Sequence, residues 1–476
     1  MRILHVHHRA EFIGGAEAHV SALFRAQEGR GHRVVLVAGC APGAGNPPGV
    51  VGVERPIFDP ARQFEDRVFE LALGHAAERL QPELVHLHHT SNLPVSIYRQ
   101  LRSLGVPIVQ SLYDHALLCT NGWMVRGDGS ACAGGPGEQC QKFACEGNQA
   151  FDASQIAAAA WRLAEARATV DACVVGTDTL AASAGALGLA RPHVVPYFPL
   201  GTPPEARART TGVERVVVVA RLEREKGVEV LLEAFAELAA RRPMAELVVV
   251  GGGSRAGALS ERISALGLAR RVSLLGSLGR EAAMAAIASA SVLCVPSIWA
   301  ETMPLVLLDA FSAGVPVVAT RAGGIPFAVQ HETSGLLVPP GDPEALARAL
   351  GRVLAEPALA ATLVEGGKQR LSAFDRERHL ESLDQLYREL CADPAAARTS
   401  APAAELPLSE VRFLMAAMAR DLAEARAKQL ELVADFESER DWIRATVGYV
   451  QRDPLTRAVN RLRGGPDLER FLEDLA

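Results

Sequence analysis

Runs of β-branched and aliphatic residues alternate with Ala/Leu-rich stretches along most of the chain: RILHVHH gives way to GGAEAHVSALFRAQEGRG and then to HRVVLVAG. Strand, helix and strand in that order predict a parallel sheet with crossover helices. Further strands are predicted at ELVHLHH, VPIVQSL, ACVVG and HVVPY, with a helix over residues 154 to 170, giving one doubly wound domain over residues 1–198. The Pro/Gly/Thr-rich PYFPLGTPPEARARTTG can sustain neither a helix nor a central strand, which places a linker near residues 198 to 212. The pattern restarts at VERVVVVA and continues through ELVVVGGG, RVSLLG, SVLCVP, PVVAT and GLLVP, a second α/β domain over residues 212–391. Ligands of such sheets lie beyond the carboxyl ends of the strands.

Residues 392 to 407 form a low-complexity linker of Ala, Pro, Ser and Thr. Beyond it Leu408, Val411, Met415, Met418, Leu422, Ala425, Leu432, Phe436 and Ile443 fall on three- and four-residue steps, predicting a helical or coiled-coil extension over 408–476. That helix either packs on its own protein or pairs with a second copy to make a homo-oligomer. An interfacial helix around DWIRATVGYVQR is a weaker reading.

Composition narrows the class. Hydrophobic residues make up 49% and charged ones 22%, ordinary globular usage, and a formal net charge of −6 argues against a nucleic-acid binder. MRILHVHH lacks the basic flank and apolar length of a secretory signal, and no uncharged apolar run is long enough to span a bilayer. The expected location is cytoplasmic, with at most peripheral contact at the inner face of the membrane.

The stretch ETMPLVLLD sets a carboxylate at each end of an apolar run. Pro304 suits the first turn of a helix, which leaves Glu301 in the loop ahead of it and Asp309 inside it. The unpaired backbone N–H groups at this helix start, between Met303 and Leu305, then offer a seat for phosphate. Asp309 lies among Leu307, Leu308, Ala310 and Phe311, where a carboxylate needs a polar partner such as a sugar or ribose hydroxyl. The alternative is that Glu301 complements the helix dipole and Asp309 points to solvent. In VVVVARLEREKGVEV, Arg221 and Lys226 follow a strand and can converge on a diphosphate, or else pair with Glu223 and Glu225 at the surface. Glycines at strand ends, Gly14 and Gly15, Gly251 to Gly253, and Gly323 with Gly324, let the backbone approach a phosphate closely.

Residues 1 to about 390 resemble a retaining, nucleotide-sugar-dependent glycosyltransferase of the GT-B fold, family 4. The residues that carry the resemblance are GGAE, ARLEREKG, VVVGGG, LLGSL, ETMPLVLLD, AGVPVVATRAGGIP and SGLLVPPGDPEALARAL. It implies two facing Rossmann-like domains, the first on the acceptor side and the second binding the donor, a nucleoside-diphosphate sugar. It carries Glu301 over to the donor sugar, Asp309 to the ribose, and Arg221 and Lys226 to the diphosphate. Gly14, Gly15, Gly252, Met303, Pro304 and Leu305 are expected to line the donor site. Asp309 stands where the family usually has Glu, and GGIPF ends in Phe327 where relatives often have Glu. In SLYDHALLC, Tyr113 replaces the histidine of the family's His-Asp pair, which leaves Asp114 and His115 both as candidates to approach the acceptor.

The resemblance implies transfer of a sugar to a glycan or lipid-linked acceptor in envelope polysaccharide synthesis, without a catalytic metal. The alternative is an inactive nucleotide-sugar-binding scaffold working through its C-terminal helix. Base, sugar and acceptor are not fixed by these residues.

Four of the eight cysteines, Cys119, Cys132, Cys140 and Cys145, fall in a Gly-rich loop over residues 119–145 with spacing C-x12-C-x7-C-x4-C. Structural Zn2+ ranks first for them, then free thiols, then disulfides. Similar cysteine loops occur in some relatives of the family. His5, His7 and His8 at the end of the first strand and, in ELVHLHH, His86, His88 and His89 are read as hydrogen-bonding groups facing a polar cleft, because no acid or cysteine accompanies them at ligand spacing.

Overall fold

The computed structural model describes residues 1–10, 14–41, 49–55, 63–90, 92–124, 126, 132, 134–143, 145, 153–200 and 213–393. The expected extension at 408–476 and most of the expected linker lie outside these residues.

The first sheet contains β1 (Arg2–His7), β2 (Arg33–Cys40), β3 (Val50–Glu54), β4 (Leu84–Leu87), β5 (Ile108–Leu112), β6 (Ala172–Val175) and β7 (Pro192–Val194). Its order is β3-β2-β1-β4-β5-β6-β7, and its pairs are parallel. The second sheet contains β8 (Glu214–Val219), β9 (Ala245–Val250), β10 (Val272–Leu274), β11 (Val292–Val295), β12 (Val317–Thr320) and β13 (Leu336–Val338). Its order is β10-β9-β8-β11-β12-β13, again parallel. In each sheet the strand order reverses once, between β1 and β4 and between β8 and β11, and the crevice for a ligand opens at such a switch point.

Five of the strands expected in the first domain run beside a sixth at the edge, β7, and a further strand, β3, was not expected. Its sequence VVGVE carries Gly52 at its centre and follows Gly49, so it reads as loop until β2 pairs with it. All six expected strands of the second domain are present.

The last helix among the described residues, Arg376–Ala392, packs away from the second sheet domain. Leu380, Leu383, Leu386, Tyr387 and Leu390 share one face, and that face packs against Ile3, Leu23, Leu36, Leu84 and Val174 of the first sheet domain. Asp375 caps its start by accepting the Arg378 N–H. Arg30 ties it from the other side, 2.8 Å from Asp384 and 2.6 Å from Glu377. A helix that lies in sequence within the expected second domain is therefore packed into the first domain's core. The two domains also share a cluster in which Val20, Tyr113 and Tyr197 of the first pack with Met303 and Leu307 of the second. Among the described residues no helix is long and apolar enough to cross a membrane.

Candidate active site

The chain leaves β8 through Ala220 into Arg221 and a short turn at Arg224–Lys226, and leaves β11 through Pro296 into Ser297–Glu301. These strands are neighbours, so the two loops meet at the switch point. Lys226 Nζ donates to Glu301 Oε1 at 2.8 Å, and Ser297 Oγ donates to the same oxygen at 2.6 Å. Glu301 is only 5% exposed, which makes this pair a buried, charge-assisted one. Lys226 Nζ also lies 4.6 Å from the centroid of the Trp299 ring. Arg221 is different: its guanidinium is largely exposed and pairs with Glu225 at 3.3 Å. Of the surface pairing weighed for these cations, Arg221 makes its half and Lys226 does not.

The loop that holds Glu301 is shaped by two glycines. Gly323 sits at φ +53°, and a Cβ there would lie 2.2 Å from Glu301 O; one on Gly324 would lie 1.9 Å from Thr302 O. No side chain fits at either position. Gly324 N–H donates to Glu301 O, which fixes the backbone that aims the carboxylate.

The helix Leu305–Ser312 begins after Pro304, which is its N-cap and which offers no N–H of its own. Met303 is buried, and Pro304 and Leu305 are half-buried. Gly15, which opens the helix Gly15–Gly29 of the first domain, faces this turn so closely that a Cβ on it would lie 3.2 Å from Leu305 Cδ1. Gly14 caps that helix without a side-chain bond, and Gly252 stands against Ser277.

Asp309 does not point to solvent. It is 5% exposed and takes a fork of two hydrogen bonds from Arg280, Nη1 to Oδ2 at 3.0 Å and Nη2 to Oδ1 at 2.5 Å. Burial raises its pKa, and Arg280 pulls in the opposite direction. The sequence reading missed Arg280, Trp299 and Ser297. Arg280 opens the helix Arg280–Ala288 directly after the LLGSLG turn, a position that gave the only available signal.

Asp114 and His115 part company. Asp114 Oδ2 lies 2.6 Å from His89 Nε2, and Oδ1 accepts the Ala116 N–H at 2.8 Å. Burial alone would raise the Asp114 pKa, but the His89 charge and these bonds hold it down at about 2. Conversely, burial opposes the His89 charge while Asp114 raises its pKa overall. His115 is buried and turns to the second domain, its Nε2 3.0 Å from Ala300 O. Thr302 Oγ1 donates to Tyr113 O at 2.7 Å, so this loop of the first domain is bonded twice to the loop that carries Glu301.

His5, His7, His86 and His88 are buried and hydrogen-bonded, whereas His8 and His89 are half-buried, and His88 and His89 line a pocket with Asp114. His5 Nδ1 lies 2.8 Å from His88 Nε2, His88 Nδ1 lies 3.1 Å from Tyr113 Oη, and His86 lies 2.6 Å from Tyr387 Oη and 2.7 Å from Ser111 Oγ. Among the described residues, two groups bring ligand atoms within 4.8 Å of one another: His5, His86 and His88, and His7, His8 and Glu17. An acid thus does stand beside the histidines, supplied by the helix Gly15–Gly29, too far along the chain for spacing to reveal it. In the first group the ring nitrogens of His86 and His88 are all engaged, and in the second His7 Nδ1 accepts the His89 N–H at 3.2 Å.

Neither group contains a cysteine. Cys119, Cys132, Cys140 and Cys145 are all buried. Cys119 Sγ donates to Asn121 at 2.9 Å, burial pushes its pKa up to about 11, and Cys140 and Cys145 pack with Ile156.

The family described as Glycosyltransferase Family 4 matches residues 13–197, and that described as Glycosyl transferases group 1 matches residues 204–370. The chain belongs to glycosyltransferase family 4. Among the relatives of this family 4 chain are two proteins named D-inositol 3-phosphate glycosyltransferase. The one from Corynebacterium jeikeium is 40% identical over 179 residues, 36% of this chain and 42% of the relative. The one from Saccharomonospora viridis is 35% identical over 246 residues, 47% of this chain and 57% of the relative. The match therefore spans about half the length of these curated relatives. Sucrose-phosphate synthase from Thermosynechococcus elongatus has a TM-score of 0.64 at 23% identity, covering 82% of this chain and 100% of its own. Anabaena HepE, solved in complex with UDP and glucose, has a TM-score of 0.63 at 19% identity with the same coverage. These likenesses establish the GT-B fold.

Proposed function

We propose that the chain is a retaining glycosyltransferase that moves a sugar from a nucleoside-diphosphate sugar to a glycan or lipid-linked acceptor, in envelope polysaccharide synthesis on the cytoplasmic side of the membrane. The observation that carries this reading is the joining of Lys226 to Glu301 where the loops after β8 and β11 meet. The HepE complex with UDP and glucose, on the same fold, supports a nucleotide-sugar donor.

Breaking the bond between the anomeric carbon and the diphosphate leaves an electron pair on the departing oxygen. Fixed positive charge beside that oxygen lowers the barrier because it need not reorganise as the charge develops. Lys226 supplies one such charge. Its ammonium has three donors, one of which is held by Glu301, so the others can reach phosphate oxygens. Arg221, exposed and paired with the buried Glu225, supplies a second charge. Glu301 faces the sugar, and Asp309, with both oxygens oriented by Arg280, keeps lone pairs for ribose hydroxyls. With two cations on the leaving group, activity is expected to survive a chelator. A structural zinc on the four cysteines is a separate proposal, and substoichiometric metal after purification under reducing conditions ends it.

Lys226→Ala and Arg221→Ala are each expected to lower turnover of the donor by about 10²- to 10³-fold while circular dichroism stays unchanged. Near-normal turnover in both variants refutes the assigned roles. The anomeric configuration of the product, read by NMR, tests retention.

A further inference from the structure

Lys226 stands on a backbone that is tightly held. Gly227, which follows it, sits at φ +67°, and a Cβ there would collide with Pro296 O, so the loop after β8 lies directly against the loop after β11. Across the same contact the Ile298 N–H donates to Glu225 O at 2.9 Å. A lysine stem is flexible, however, and fixing its base does not fix its ammonium.

Two groups hold the tip. Glu301 Oε1 accepts from Nζ at 2.8 Å, and Nζ lies 4.6 Å from the centroid of the Trp299 ring. Both partners are shielded from water, Glu301 at 5% exposure and Trp299 at 7%, and a ring face attracts a cation more strongly where water does not compete. The indole is set in turn by the first domain, whose His115 ring stands at 84° to it with centroids 6.1 Å apart.

A ligand affects these two holds differently. The oxygens of Glu301 are acceptors for which sugar hydroxyls compete, so a carboxylate that turns to the sugar loosens its hold on the ammonium. The indole face attracts the charge through its quadrupole, does not titrate, and repels phosphate oxygens, so the ligand gives that face no other partner. Resting on the proposed function, we infer that Trp299 is a positioning residue: its ring face keeps the Lys226 ammonium on the diphosphate when Glu301 turns to the sugar.

Mono-, di- and tetrafluorinated tryptophans, placed at position 299 of the full chain by nonsense suppression, keep the shape of the ring and weaken its face stepwise. UDP, GDP and ADP, each beside its sugar conjugate UDP-glucose, GDP-mannose or ADP-glucose, are titrated calorimetrically into each protein. The diphosphate bound best by the unsubstituted chain is expected to bind more weakly with each step, by about tenfold in all, and the slope should be steeper for its sugar conjugate. In Lys226→Ala the same series should be flat, because the ring acts through the ammonium. No trend, a trend no steeper with the sugar conjugate, or a trend that persists in Lys226→Ala overturns the inference and leaves the proposed function standing. If the unsubstituted chain binds none of these nucleotides, or Lys226→Ala binds them equally well, the proposed function falls and the inference with it.

Discussion

At the switch point of the first sheet, β1 and β4 run out into His7, His8, His88 and His89, whereas at that of the second, β8 and β11 run out into Arg221, Lys226 and Glu301. The backbone wiring is the same at both places. What differs is the state in which the polar groups are buried. In the first domain burial keeps most imidazoles neutral, with the pKa values of His5 and His7 lowered to about 4 and about 3, while His89, paired with Asp114, is raised. In the second, charges are retained because each buried acid has a basic partner, Lys226 for Glu301 and Arg280 for Asp309. A neutral, hydrogen-bonded network suits a rigid platform; paired charges that a ligand can re-partner suit a site where a diphosphate binds and leaves.

The largest expected effect that sharpens this contrast is on acid stability. His5, His7 and His379 have folded-state pKa values below their ordinary 6.5, all because burial disfavours the charged ring. The unfolded chain then binds more protons at mildly acidic pH. Their contribution is complete above pH 6.5 and is lost as pH falls toward 4, by roughly 4 kcal/mol per pH unit for three groups titrating together. His89 runs the other way: its raised pKa gives stability present below 6.5 and lost as pH rises through its folded value. Hydrogen exchange followed from pH 7 to pH 4.5 should therefore show β1 and β4 losing protection well before β8 and β11. Equal loss in both sheets breaks the comparison.

A smaller effect is expected from Arg280→Ala, which strips both hydrogen bonds from the buried Asp309. Breaking a fully buried pair costs 3–5 kcal/mol; with the Arg280 side chain 40% exposed, about 1–3 kcal/mol is expected, read from urea unfolding. Adding Asp309→Asn should recover part of it, since the stranded charge is the cause. Smallest is Tyr387→Phe, which removes a hydroxyl shared by His86 and Gln27 and should cost about 1 kcal/mol, felt in the first domain although residue 387 comes after the strands of the second in sequence.

The sequence disclosed what depends on local pattern. Hydrophobic runs gave twelve of the thirteen strands, and the spacing of ETMPLVLLD gave a helix start between two acids. It could not disclose partners chosen across the fold. The stripe on Arg376–Ala392 announces a buried face without saying which sheet buries it. Asp309 called for a polar partner, and nothing local named Arg280, 29 residues earlier. Trp299 carried no local signal, because the His115 ring it meets comes from the other domain.

The central claim is that the second switch point, and Lys226 in particular, holds the diphosphate. Calorimetric titration of UDP, GDP and ADP into the full chain and into Lys226→Ala tests it most directly. The account predicts that the nucleoside diphosphate bound best by the unsubstituted chain loses about 10- to 100-fold in affinity when the ammonium is removed. An unchanged dissociation constant in a folded Lys226→Ala protein would contradict it.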